Sequence, residues 1–425
     1  MKKTLIAIGL LSAFSAAHAE SSVSVYGNIN VAITKKGDAG VTLKAEEYQY
    51  ASRIGFKGKE DLGNGYAAIF KLEAELEPDT GSGTYGENKN TLGFNRESWV
   101  GLLTPYGAIR FGRSTTPFVN MWVGGEFGEG RGIGQFTAGI AGAGLRTTQP
   151  EVGMRWNNGL FYDVKQGGFA AGLAVTTKGS QSIVPTDPTV SSVDNEGKSG
   201  TKPAYGAYAR YEGKVGQFGY KIGGAYQVDN GSTNAASTNT KNAPAESKKA
   251  WMIGSGVSYG PASFSVGYAK SNIDNTDLAN TLTARGGAVP LRTGTSKTLF
   301  ASMGYDVTPN DHIYASYGKY KRTNSYVFLP SPNPSTGTRA VTGEGDLAGT
   351  QYSVGYEHKL SKRTVIYTNV RKVIENKNSC TTSLGGTTTT AASLSTGCAA
   401  SVSRVDAILS VEKGWSYDLG ISHSF

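Results

Sequence analysis

Apolar and polar positions alternate along almost the whole chain with a period of two. Near the start, Val23, Val25, Ile29, Val31 and Ile33 interleave with Ser22, Ser24, Asn28 and Asn30. Ile54 and Phe56 then alternate with Arg53 and Lys57, and Tyr66, Ala68, Phe70, Leu72, Ala74 and Leu76 with Lys71, Glu73 and Glu75. The same pattern returns at Tyr205–Tyr211, Phe218–Ile222, Phe264–Tyr268, Leu299–Tyr305 and Tyr352–Tyr356. A period of two places the two sets on opposite faces of a strand. Segments of roughly ten residues match the ~9–11 that a tilted strand needs to cross a bilayer. The chain ends in the same way: Tyr417, Leu419, Ile421 and Phe425 alternate with Asp418, Gly420, Ser422 and Ser424. An aromatic terminal strand suits an outer-membrane barrel, where one face meets lipid, the other a wet lumen, and the end sits in an interfacial girdle.

The connections fall into two classes. Short ones are 61–65, 104–107, 166–168, 213–216, 260–261, 308–311 and 360–363, nearly all built from Gly, Pro, Asn or Asp, the residues of tight turns. Long polar ones cover about 35–49, 78–91, 115–150, 179–203, 230–248, 271–296, 323–348 and 375–413. Long and short alternate strictly, as an up-and-down barrel with short periplasmic turns and long external loops requires. The pattern predicts an all-β, transmembrane antiparallel barrel of about sixteen strands, with fourteen and eighteen left open. Its final strand should pair with Ser22–Thr34 and close the sheet. The least regular strand is Phe94 to Leu103, because Val100 and Leu102 lie on one face and Trp99 and Leu103 on the other. An apolar inward face there predicts packing beneath a loop or against another subunit.

The N-terminus sharpens the location. Met1-Lys2-Lys3, an apolar stretch from Thr4 to Phe14 and Ala17-His18-Ala19 together read as a secretory signal peptide over 1–19, with the barrel domain spanning 20–425. No later run approaches the ~20 apolar residues of a spanning helix. Hydrophobic residues make up 38%, against ~45–50% in soluble domains on a slightly wider count; a watery lumen accounts for the deficit. The formal charge is +9, and removing Lys2 and Lys3 from the 42 basic residues leaves 40 against 33 acidic, or +7. Those charges are scattered at strand spacing and not gathered in blocks, which argues against nucleic-acid binding.

Several motifs, in order, resemble the Gram-negative general diffusion porins of beta-proteobacterial type. They are Val25-Tyr26-Gly27, Ser52-Arg53-Ile54-Gly55-Phe56-Lys57-Gly58, Asp61-Leu62-Gly63-Asn64-Gly65, Arg96 with Trp99-Val100-Gly101-Leu102, Arg110-Phe111-Gly112-Arg113, and the terminal Phe425. The resemblance implies an outer-membrane homotrimer of sixteen-stranded barrels, embedded in outer-membrane lipid, passing small hydrophilic solutes and ions. Its third external loop, here Thr115–Pro150, would fold inward and narrow the pore. Tyr417, Leu419, Ile421 and Phe425 would be the C-terminal signal read by the barrel-insertion machinery.

A pore selects by the charges at its narrowest point, where field lines focus. The resemblance places basic groups on the wall and acidic ones on the inserted loop. Arg53 and Lys57 share the face opposite Ile54 and Phe56 and are the expected wall residues, joined by Arg113 and Arg146. Arg113 shares its parity with Ile109 and Phe111, so it can serve only if the strand ends or bulges there. Glu126 and Glu129 are the expected loop acids, flanked by Arg131 and Arg155. Asn28 stands where many family members carry a lysine. The balance points to an anion bias, opposed by Glu73 and Glu75 on the same lumen.

Cys380 and Cys398 sit in the last long loop and predict a disulfide in an oxidising envelope. Nothing suggests a metal or cofactor. His312, His358 and His423 lie near turns or the C-terminus, outside any G-x-S-x-G or H-E-x-x-H pattern, so no enzyme is indicated. A substrate-specific channel for a sugar or organic anion, and an adhesin on the same barrel, remain as rival readings. The tyrosines mostly share the apolar face, which favours a girdle over an aromatic slide.

Overall fold

The computed structural model describes residues 21–37, 39–45, 50–83, 93–124, 128–129, 131, 133, 154–177, 202–230, 247–274, 291–328, 341–384, 387–390 and 414–425. The first strands are β1 (Ser22–Lys35), β2 (Thr42–Ala45), β3 (Arg53–Gly63), β4 (Tyr66–Glu77), β5 (Ser82–Gly83), β6 (Glu97–Thr104) and β7 (Gly107–Thr115). One helix, α1 (Pro117–Gly124), follows. Then come β8 (Arg155–Gln166), β9 (Phe169–Thr176), β10 (Tyr205–Val215), β11 (Phe218–Asn230), β12 (Ser247–Tyr259) and β13 (Ala262–Asp274). The last are β14 (Leu291–Asp306), β15 (Asp311–Phe328), β16 (Val341–Lys359), β17 (Thr364–Leu384), β18 (Thr387–Thr390) and β19 (Gly414–Ser424). β2, β5 and β18 are short additions; the other sixteen form one closed antiparallel barrel.

Each wall strand obeys the alternation that built it. In β19 the outward Trp415, Tyr417, Leu419 and Ile421 are exposed, while Ser416, Asp418, Gly420 and Ser422 between them are buried. Glycines on the inward face recur beneath rings of the neighbouring strand: Gly55 under Tyr26, Gly355 under Tyr314 and Gly420 under Tyr367. A Cβ at these sites would overlap the ring, so glycine lets an aromatic lie flat along the wall.

All seven short turns fall where the sequence puts them. The long connections are shorter than predicted on one side, because β14 to β17 run 16, 18, 19 and 21 residues. Their outer ends are rich in Thr, Ser, Asn and Lys. Beyond the bilayer a strand needs no apolar face, so periodicity stops where pairing continues.

Closure is built by β1. Its first half pairs with β3, Ser22↔Lys59 through Asn28↔Arg53. Its second half pairs with β19, Asn28↔Ser424 through Lys35↔Tyr417. Gly27 and Phe425 exchange two backbone hydrogen bonds, each 3.1 Å, so the final residue is tied into the sheet. His423 is exposed on the outward side, 2.9 Å from Thr364 Oγ1.

Candidate pore constriction

α1 lies inside the barrel, against β10, β11 and β12. Phe118, Met121 and Trp122 bury themselves with Tyr208, Ala225, Ala250, Met252, Ala269 and Phe300, and Trp122 meets Phe300 edge-on at 4.3 Å. These wall positions are inward by register, yet apolar. The lumen face therefore has a hydrophobic landing strip where the loop begins. Polar bonds fix the helix further: Gln227 Oε1 accepts from Phe118 N at 3.3 Å, and Arg210 donates to the Asn120 carbonyl at 2.9 Å.

Past the helix, described residues of the same segment reach the inner wall. Ser263 Oγ donates to Glu129 Oε1 at 2.6 Å, and His312 Nε2 lies 3.3 Å from Glu129 Oε2. Burial alone would raise the Glu129 carboxyl, but the bonds from His312 and Ser263, with the nearby Lys221 charge, hold it below the ordinary carboxylate value. His312, beside the short turn 308–311, thus faces the lumen. A cavity of about 420 Å³, lined by Glu212, Lys214, Lys221, Ser258, Ser263 and Ser265 among others, opens beside this contact. Arg131 Nε lies 3.1 Å from Glu357 Oε2, its guanidinium carbon 3.7 Å from the centre of the Tyr50 ring. Asp418 Oδ2 accepts from Ile133 N at 2.9 Å, and Asn369 Nδ2 donates to the Arg131 carbonyl at 3.0 Å.

The opposite arc, β3 to β8, carries the ion-pair network. Glu73 on β4 receives Tyr26 OH at 2.8 Å and Arg96 Nε at 2.7 Å, with Lys71 Nζ at 3.3 Å and Arg53 at 4.0 Å. Arg96 also approaches Glu75 at 3.9 Å. Further round, Glu97 accepts from Trp99 Nε1 at 2.8 Å and Ser114 Oγ at 2.9 Å. Arg110 pairs with Asp163, its guanidinium 5.2 Å from the Trp99 ring. That cation gives the inward tryptophan of the irregular strand a partner within the barrel.

The sequence-derived site residues fare unequally. Arg53 and Lys57 share the inward face, Lys57 exposed with its ammonium 5.2 Å from the Tyr26 ring centre. Arg113 sits at the bulge its parity demanded: the β7–β8 register shifts between Gly112 and Ser114, and Gly112 has φ 132°. Its Nε donates to the Asn95 carbonyl at 2.6 Å and its NH1 to Asn157. Glu129 pairs with His312 and Ser263, not with the basic arc. Asn28, in the position of the absent lysine, accepts from Ser422 and Ser424 and stitches the closure. Glu126 and Arg146 lie outside the described residues, as do Cys398, the Cys380 side chain and the segment 1–19. Arg96, Arg110 and Lys71 were visible only as motif or alternation residues; their role follows from cross-strand neighbours that one strand's pattern does not reveal.

A family model for Gram-negative porins matches residues 4–379. The chain belongs to the Gram-negative porin family. This porin is 30% identical to outer membrane porin protein 32 of Delftia acidovorans, over 90% of this chain and 92% of that one. Its fold resembles an anion-selective porin from Comamonas acidovorans, with TM-score 0.58 and 22% identity, covering 96% of this chain and all of the other. The trimer form of OmpT from Vibrio cholerae superposes with TM-score 0.56 at 15% identity, over 95% and 99% of the two chains. The porin is an outer-membrane channel of a Gram-negative cell.

Proposed function

We propose that this porin passes small hydrophilic solutes passively with a bias toward anions, set between the β3–β8 arc and the segment 115–150. The observation that carries this reading is the asymmetry of partnering on the inward wall. Glu73, Glu97 and Asp163 are each held by two or more donors, whereas Lys57 and Lys59 on β3 are exposed to the lumen. Carboxylates paired with arginine, as Glu73 and Asp163 are, repel an entering anion weakly, and exposed ammonium groups in a narrow, low-dielectric passage attract it. The Comamonas porin shares the direction of this bias, but at 22% identity it supplies only the fold. The inward tyrosines are engaged, Tyr26 with Glu73, Tyr208 with Asp163 and Tyr367 with Asn30, which leaves no continuous aromatic slide among them for a sugar. No hydrolytic role is assigned. We further propose export by the 1–19 signal peptide, a Cys380–Cys398 bridge, a homotrimer, and recognition of Tyr417, Leu419, Ile421 and Phe425 by the insertion machinery.

Reversal potential across a planar bilayer in a tenfold salt gradient tests the selectivity. The wild type is expected on the anion side, and the double variant Lys57→Glu, Lys59→Glu shifts toward cations. A cation-side wild type, or a double variant with unchanged potential, overturns the reading.

A further inference from the structure

Between α1 and the short turns, the inward face of β10 to β13 carries two rows of residues that the ion-pair arc does not use. Register sets Lys221, Gly256 and Ser265 side by side in one row, and Lys214, Gly219, Ser258 and Ser263 in the next. These rows wall the cavity of about 420 Å³, at the small end of the ~300–1,000 Å³ usual for small-molecule clefts. Glycine shapes it. A Cβ on Gly256 would stand 2.6 Å from Lys221 Cε and 2.9 Å from Ser265 Oγ, and a Cβ on Gly219 would overlap Ser258 Oγ. The absent side chains let the Lys221 stem cross β12 toward Ser265. They also let the Ser258 hydroxyl lean over Gly219, the register neighbour of Lys214.

Charge is divided across this cavity. Lys214 and Lys221 stand on the β10–β11 flank, where Lys214 is exposed to the lumen. Glu212 on the same flank is met by Lys165 at 3.7 Å. On the β13 flank, Ser263 Oγ donates to Glu129 Oε1 at 2.6 Å, and Glu129 Oε2 faces His312 Nε2 at 3.3 Å. Lys221 lies close enough for its charge to act on that carboxylate. A carboxylate offers about four lone-pair sites, so Glu129 can accept further bonds. A simple anion entering here is drawn by the lysines and repelled by Glu129, and a simple cation meets the reverse. A solute that carries both charges on one carbon is served at each end. Hydrogen bonds between charged partners are about twice as strong as neutral ones, so both ends count.

We propose that this cavity is a binding site for small zwitterionic α-amino acids. Lys214 and Lys221 take the carboxylate, Glu129 takes the ammonium, and the hydroxyls of Ser258 and Ser265 face a short polar side chain. The site stands apart from Lys57 and Lys59 on β3, so its failure leaves the selectivity reading untouched.

The test uses the full mature porin in neutral detergent and reads affinity by saturation-transfer NMR. Three solutes of matched frame are the probes: L-serine, glycerate, which lacks the ammonium, and ethanolamine, which lacks the carboxylate. Heat-modifiable gel mobility confirms that each variant is folded. The wild type is expected to hold serine about tenfold more tightly than either analogue. Lys214→Gln with Lys221→Gln should weaken serine and glycerate about tenfold and leave ethanolamine unchanged. Glu129→Gln should weaken serine and ethanolamine and leave glycerate unchanged, whereas a merely structural loss lowers all three together. Lys57→Gln, on the other arc, should keep all three affinities. Wild-type binding of glycerate or ethanolamine as tight as that of serine overturns the proposal. So does serine binding that neither variant weakens, or a variant that lowers the three solutes equally.

Discussion

Glu129 is the residue at which loop chemistry and wall chemistry meet. The resemblance set it against the basic arc, but it lies across the lumen, bonded to Ser263 and His312 at the turn end of β13 and β15. Sequence spacing gave its sign and its segment, not its partner, because a loop residue's partner is fixed by where the loop lands. Its carboxyl is held below the usual value, so the contact is fully present above the ordinary carboxylate range and is lost as pH falls through the depressed value. Open-channel current should therefore be quiet at neutral pH and become noisy only in acid below the ordinary carboxylate range. Glu129→Gln should be noisy already at pH 7 and nearly independent of acid. Single-channel recording from pH 7 to 3 checks both traces; a quiet variant means that the contact does not hold the segment.

Among the described elements, the sequence pattern hid α1 along with the short additions β2, β5 and β18. Pro117–Gly124 is a single short helix inside a stretch dominated by glycine, too brief for a 3.6-residue period to stand out. A signal did exist on the opposing wall. Ala250 and Met252 face inward while Trp251 and Ile253 face outward, so β12 is apolar on both sides, as a strand is when something packs on each face. The membrane-crossing parts of most wall strands, by contrast, were legible, since lipid on one side and water on the other enforce alternation; the outer extensions of β14 to β17 were not. The bulge at Arg113 was legible too, because an arginine out of phase with its strand can face the lumen only if the register shifts there. Trp122 fills the site between Met252 and Phe300, and Trp122→Ala should remove roughly 3–5 kcal/mol of packing. With its anchor weakened, the segment should sit back less firmly, raising single-channel conductance while the barrel keeps its heat-modifiable mobility. Unchanged conductance would mean that the polar bonds from Gln227 and Arg210 suffice to hold the helix.

At the level of the whole molecule, closure depends on one strand bridging the two ends of the barrel wall. β1 gives its first half to β3 and its second to β19, and Phe425 occupies the point where the two pairings meet. There its amide and carbonyl bond Gly27, and its ring lies over the glycine that only an absent side chain permits. In lipid, an unpaired backbone group costs several kcal/mol, since no water replaces the lost partner. Deleting Phe425 removes both bonds and the ring; Phe425→Ala removes the ring alone. The deletion should therefore refold into detergent with a transition several degrees lower than Phe425→Ala, which in turn falls slightly below wild type, as read by the heat-modifiable gel shift. Refolding in vitro omits the insertion machinery. If the terminal aromatic is also a recognition signal, Phe425→Ala will assemble far less well in cells than its small loss in detergent explains. If both losses match, Phe425 acts through closure alone.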